Sequence, residues 1–175
     1  MKYATIKTHD VANGPGVRVS IYVSGCNHHC KGCFNPETWD FNYGKEFNQE
    51  TIDTVLDAVG KEYIEGITVL GGEPLDPLNQ KGVATLIKQV KEKYPSKSIW
   101  CFTGFDFEKD VMGKMYQQFD TTRDIVDNLD VLVDGEFKQE KKNLSLRFRG
   151  SENQRIIDVP KTLSENKIIW KELED

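Results

Sequence analysis

Val17-Arg18-Val19-Ser20-Ile21-Tyr22-Val23-Ser24-Gly25-Cys26-Asn27-His28-His29-Cys30-Lys31-Gly32-Cys33 is the stretch on which the fold turns. Its first seven residues alternate apolar and polar side chains, the period-two pattern of a strand. The strand ends at Ser24-Gly25 and opens into a polar, glycine-bearing loop that carries three thiols with the spacing C-x3-C-x2-C. Chemistry placed at the end of a strand is the layout of an α/β protein, in which ligands collect at strand ends.

Outward from that loop, short β-rich runs alternate with helical patterns. Asn48 stands at a cap position ahead of the stripe Ile52, Val55, Leu56 and Val59, spaced i, i+3, i+4, i+7. Gly60 and Gly66 bracket its end, and Ile67-Thr68-Val69-Leu70 is a buried-type strand running into Gly71-Gly72. Val83, Leu86, Ile87 and Val90 mark a second helix, stopped by Pro95. Ser98 to Phe102 forms a third strand ending at Thr103-Gly104, and Val111, Met115 and Phe119 mark a third helix that Gly113 weakens. Asp130 to Val133 is a strand leading into the turn Asp134-Gly135, Lys138 to Asn143 a charged, solvated loop, and Arg155 to Val159 a late strand before Pro160.

The succession β-α-β-α-β-α-β predicts parallel strands joined by helical crossovers, hence an α/β fold. With 175 residues, the chain falls short of the ~250 of a full eight-unit barrel. A partial, open β/α barrel is expected, as one domain over residues 1–175. No internal repeat, Pro- or Ser-rich linker or low-complexity tract interrupts it.

Composition narrows the function classes. The chain is 38% hydrophobic and 29% charged, in the ordinary globular range. No apolar run approaches the ~20 residues of a membrane span. Met1 to Asp10 alternates charged and apolar groups without the apolar core of a signal peptide. A net charge of −5 and a pI of about 5.3 oppose general nucleic-acid binding, which needs a basic surface. A cytoplasmic protein is expected, with neither nucleic acid nor membrane as partner.

Four cysteines are an even count, but Cys26, Cys30 and Cys33 crowd one loop while Cys101 stands far downstream. In a reducing compartment, clustered thiols bind metal or do redox work. Thiolates are soft ligands that select iron–sulfur clusters, zinc or Cu(I). Three of them hold three corners of a [4Fe–4S] cubane and leave one iron open to a substrate or cofactor. A Cys3His zinc site recruiting His28 or His29, in a non-catalytic binding module, is the alternative, although such sites usually pair two separate knuckles. Cys101 lies in an apolar strand and reads as a small buried hydrophobe, not a fourth ligand. His9, His28 and His29 have no sequence neighbour that marks an acid–base dyad, and no Ser/His/Asp pattern appears. No side chain is assigned a catalytic role.

The cysteine loop followed by Gly71-Gly72-Glu73-Pro74 at a later strand end resembles the radical S-adenosylmethionine (SAM) superfamily. Gly14-Pro15-Gly16-Val17-Arg18 resembles the Gly-Pro-Gly-x-Arg signature of glycyl-radical-enzyme activases, and Cys33-Phe34-Asn35-Pro36-Glu37-Thr38-Trp39 continues that likeness. Small size, His28-His29 and the run Arg149 to Arg155 are similar to the activases of anaerobic (class III) ribonucleoside-triphosphate reductase.

The resemblance implies one [4Fe–4S] cluster on Cys26, Cys30 and Cys33, with the fourth iron binding the amino and carboxylate groups of SAM. It implies that Gly71, Gly72 and Glu73 lie along the methionine moiety and receive its ammonium. Many members carry an aromatic residue just before the third cysteine. Here that place is Gly32, so Gly32, Cys33 and Phe34 are expected at the adenine edge. Reduced flavodoxin is the implied electron donor, and a glycine in the C-terminal region of the reductase the implied hydrogen source. Activation of another glycyl-radical enzyme, or action on a small molecule, are the alternatives within the superfamily. Thr103-Gly104 and Asp134-Gly135 are expected near the same cavity, and Arg18, Arg149 and Arg155 as partners for SAM's carboxylate or for a protein.

Overall fold

Alternation over Val17–Val23 produces a strand with two dissimilar faces, and the sheet is built around that difference. In the computed structural model, residues 1–173 are described; Glu174 and Asp175, the end of the expected domain span, lie outside the described residues. The strands are β1 (Lys2–Asp10), β2 (Val17–Val23), β3 (Lys45–Glu46), β4 (Ile64–Gly71), β5 (Ser98–Phe102), β6 (Val131–Asp134) and β7 (Arg155–Asp158). Among the described residues they form one mixed sheet in the order β3-β1-β2-β4-β5-β6-β7.

The four strands read as a crossover series, β2, β4, β5 and β6, are parallel neighbours. β1 adds antiparallel to β2, β3 antiparallel to β1, and β7 antiparallel to β6. The antiparallel return of β7 follows from its connection. Residues 135–154 contain only the single turn Gln139–Lys141 and no helix to carry the chain back along the sheet, and a parallel pair needs such a crossover.

Registers align the faces across the sheet. Val19, Ile21 and Val23 of β2 lie level with Ile67 and Val69 of β4, Ile99 and Cys101 of β5, Leu132 of β6 and Ile157 of β7. All are buried in one core with the helices. α1 (Gln49–Val59) is capped by Asn48, whose side chain accepts from the Thr51 amide, and it buries Ile52, Val55, Leu56 and Val59 as its stripe requires. α2 (Pro77–Lys93) starts at the Asp76 cap with Pro77 in its first turn and buries Val83, Leu86, Ile87 and Val90.

The expected third helix is not one helix. Phe107–Met115 is wound in wide π-type turns, with amide bonds from Val111 to the Asp106 carbonyl and from Tyr116 to the Val111 carbonyl. A Cβ on Gly113 would stand 2.8 Å from the Glu108 carbonyl oxygen, so the glycine that weakens an α-helix is what this winding tolerates. α3 (Tyr116–Gln118) follows, Phe119 breaks the run in extended conformation, and α4 (Asp120–Val126) resumes it. α5 (Val159–Glu165) follows β7.

The opposite face of the sheet carries different chemistry. Arg18, Ser20 and Tyr22 of β2 sit level with Gly66, Thr68 and Leu70 of β4, then Ser98 and Trp100 of β5 and Val131 of β6. No helix is long and apolar enough to cross a membrane among the described residues.

Candidate iron–sulfur site

The polar face and the loops beyond the C-terminal ends of the parallel strands enclose a cavity of about 580 Å³. Cys26, Cys30 and Cys33 line it together with Gly71, Gly72 and Glu73, Thr103 and Gly104, Tyr22 and Leu70. Phe34, Phe102, Phe137, Leu144 and Phe148 supply apolar wall. Below it, Arg18, Ser20, Thr68 and Trp100 are fully or almost fully buried and fill the inner face of the sheet. The cavity therefore has a closed floor.

Packing dictates how the cysteine loop meets the Gly-Gly-Glu turn. The Gly72 amide donates to the Val23 carbonyl and the Glu73 amide to that of Gly25. A Cβ on Gly72 would stand 2.6 Å from the Gly25 oxygen and 2.8 Å from that of Thr38, so only glycine permits this contact. Asn79, buried on α2, donates to the carbonyls of Ser24, Gly25 and Glu73 and ties the two segments together.

Glu73 is 1% exposed. One carboxylate oxygen accepts from His28 Nε2 and the Gly104 amide, each at 2.7 Å. The other accepts from the Leu75 amide and Thr103 Oγ1, each at 2.8 Å. Four donors fill the lone pairs of the carboxylate. These four contacts make Glu73 a brace between three strand ends, and Gly71, Gly72 and Glu73 all line the cavity.

His28 completes the brace. Its Nδ1 lies 3.1 Å from the Glu136 carboxylate, and its ring packs edge-on against Phe105. Carboxylates only accept, so a carboxylate at each ring nitrogen favours the protonated imidazole. Burial opposes that charge, but Glu73 and Glu136 outweigh it and hold the His28 pKa above the ordinary histidine value. Neither carboxylate is near His28 in sequence, so nothing local announces the pairing. Gly104 has no side chain where the His28 ring sits; a Cβ there would come within 2.7 Å of it.

Backbone amides meet all three thiols. Burial pushes the Cys26 thiol up to about 11, against the amides of His28 and His29, which favour its thiolate. Burial likewise raises Cys30, against the Phe137 amide. The Asn35 amide donates to Cys33 Sγ at 3.4 Å. Amides aimed at sulfur stabilise the negative charge of a thiolate-bound cluster. Of the two histidines in the loop, His28 meets two carboxylates and His29 stacks on Trp39 with centroids 4.4 Å apart.

Other expected residues divide. Thr103, Gly104 and Gly135 reach the cavity, as does Phe34, but Gly32 is not among its lining residues. Gly32 instead faces the Gln139 side chain. Cys101 lies on the helix-packed face and is fully buried, so strand alternation turns it away from the other three. Arg18 is a structural residue and no ligand group: it donates to Thr68 Oγ1, Ser98 Oγ and the carbonyls of Pro15, Ile67 and Ser98. Arg155 is held by Asp134 and Glu108, while Arg149 lines the cavity and donates to the carbonyls of Glu152 and Gln154.

A mixed sheet with a three-thiol loop at its parallel strand ends defines an iron–sulfur protein, and residues 12–157 match the family described as "4Fe-4S single cluster domain". The chain belongs to the family of anaerobic ribonucleoside-triphosphate reductase-activating proteins. It is 37% identical to the member from Enterobacteria phage T4 over 158 residues, covering 89% of this chain and 93% of the relative. It is 36% identical to the Escherichia coli K12 protein (88% and 96% covered) and 38% to that of Haemophilus influenzae (89% and 97%).

Proposed function

We propose that this chain activates anaerobic ribonucleoside-triphosphate reductase by generating a glycyl radical on it, in the manner of a radical SAM activase. In this reading the sheet and its crossovers are the open β/α barrel of that class. Residues 1–175 act as one domain in the cytoplasm. Cys26, Cys30 and Cys33 each hold one iron of a [4Fe–4S] cluster. The cluster, when bound and reduced by flavodoxin, supplies one electron that cleaves the C5′–S bond of SAM to methionine and a 5′-deoxyadenosyl radical.

The remaining work falls to the protein. Main chain at Gly71 and Gly72 offers polar groups to the methionine moiety, held in place by the Glu73 brace. Phe34 beside Cys33 suits the adenine edge. The apolar walls exclude water, and the open side admits a polypeptide. A glycine in the C-terminal region of the reductase surrenders its Cα hydrogen, and the radical left behind is stabilised by the flanking amide nitrogen and carbonyl.

One observation carries this reading: three thiols, the Gly71-Gly72 main chain and an apolar mouth converge on a single cavity. The experiment is anaerobic reconstitution with iron and sulfide, then reduction with SAM and the reductase. A glycyl-radical doublet by electron paramagnetic resonance on the reductase is expected. A silent reductase beside a responding different glycyl-radical enzyme would overturn the assignment of partner. A colourless protein binding one zinc would overturn the cluster.

A further inference from the structure

The segment Lys138–Arg149 holds five Lys or Arg and one Glu, in a chain of net charge −5. It leaves β6 beyond Gly135 and forms one wall of the cavity mouth through Asn143, Leu144, Leu146, Phe148 and Arg149. The segment is built, not loose. The Asn143 amide donates to the Gly150 carbonyl, and that of Glu152 to the Lys141 carbonyl. Asn143 Oδ1 accepts from the amide and hydroxyl of Ser145, at 3.0 and 2.6 Å. Gln154 Oε1 accepts from the amides of Gly150 and Ser151, at 2.8 and 3.1 Å.

This scaffold holds Leu144 at the rim with 84% of its surface exposed, and Phe34, packed against Phe137, is 56% exposed. The Lys142 ammonium stands over the Phe34 ring, 5.3 Å from its centroid. Lys138, Lys141 and Lys142 make no ion pair among the described residues. Concentrated positive charge on an acidic protein, grouped around ordered apolar side chains, is the signature of a surface that reads a complementary partner. Because the arm is preformed, docking does not have to order it.

We propose that the arm Lys138–Arg149 docks an acidic segment of the polypeptide whose glycine enters the cavity. The partner's carboxylates lie along Lys138, Lys141 and Lys142, and one of its apolar side chains covers Leu144 and Phe34. The inference rests on the reductase reading above and adds to it the chemistry of the contact. Charge governs encounter, and the leucine governs how long the complex lasts.

The test uses the reconstituted protein and the reductase. Activation is titrated at low and high salt for the parent, the double variant Lys138→Glu/Lys141→Glu, and Leu144→Ser. SAM cleavage without reductase serves as the check on folding and cluster loading. The charge reversal should raise the half-saturating reductase concentration about tenfold or more at low ionic strength, and flatten its salt dependence. Leu144→Ser should raise it severalfold at all salt concentrations. The double variant, whose two lysines do not line the cavity, should cleave SAM at the parent rate. Unchanged half-saturation in either variant, with a parent that activates the reductase, overturns the arm and leaves the reductase reading standing. A loss of SAM cleavage in the double variant assigns the arm to the small-molecule site and overturns docking. A parent that cleaves SAM and puts no radical on the reductase overturns the reading of the partner, and the docking proposal falls with it.

Discussion

Replacing Glu73 by Gln swaps one acceptor oxygen for an NH2 donor in a pocket where every neighbour donates. His28 can give up its Nε2 proton and Thr103 can rotate its hydroxyl, but the amides of Gly104 and Leu75 cannot reverse. Each oxygen carries one of these two amides, so either placement of the new NH2 points it at a backbone N–H. An unsatisfied buried N–H costs about 1–3 kcal/mol, and the surviving bonds lose the extra strength a charged acceptor confers. We expect a destabilisation of about 3–5 kcal/mol, a large share of the roughly 5–15 kcal/mol by which folded domains are stable. Urea unfolding of the cluster-free protein under reducing conditions measures it directly. With a slope of about 2 kcal/mol/M, the midpoint should fall by about 2 M at unchanged slope. Thr103→Val, which removes one rotatable donor and the acceptor of the Phe105 amide, should cost about 2 kcal/mol. A midpoint drop of less than about 0.5 M for Glu73→Gln would refute the brace.

Three further outcomes follow from the same geometry. Cys30→Ala should abolish the visible sulfur-to-iron charge-transfer absorbance after reconstitution. Cys101→Ala should keep that absorbance while losing about 1–2 kcal/mol in urea unfolding, the effect of emptying part of a packed core. Arg18→Ala should cost about 3–5 kcal/mol in the same assay, because it leaves Thr68, Ser98 and three carbonyls without their donor. Asp10 is buried, which works to raise its pKa, but donation from Ser20, Ala12 and Asn13 and the charge of Lys7 prevail and lower it. Its carboxylate therefore contributes stability above the unfolded value near 3.8, and that contribution disappears as pH falls through the folded value. Asp10→Asn should be less stable at neutral pH and show a flatter loss on acidification, read from the urea midpoint between pH 7 and 3.

What could be read in the chain was local. Strand alternation in Val17–Val23, the stripes of α1 and α2 and the thiol spacing each sit within a few turns of sequence, and the structure places them as the pattern requires. The same alternation assigns Cys101 to the far face. β1 was not recognisable: most of Lys2–Asp10 is polar or only partly buried, and its conformation is imposed by pairing with β2. The wide turns over Phe107–Met115 are equally hidden, since Gly113 reads only as a flaw in an α-helix. In the site, the thiols and the Gly-Gly turn announce themselves by spacing. The His28 brace does not, because its carboxylates lie 45 and 108 residues away. Arg18 misleads for a related reason: an arginine beside a glycine turn looks available to a ligand until four acceptors from β4 and β5 join the Pro15 carbonyl around it.

The closed floor beneath the cavity dictates a queue. With Arg18, Ser20, Thr68 and Trp100 sealing the inner face, two molecules occupying the cavity together must enter in order of depth and depart in reverse. Under the proposed function, whatever seats against the cysteines arrives first, and the reductase segment across the rim then acts as the stopper. Steady-state kinetics for such a site are compulsory-ordered, and excess of the outer partner slows turnover by trapping the inner one.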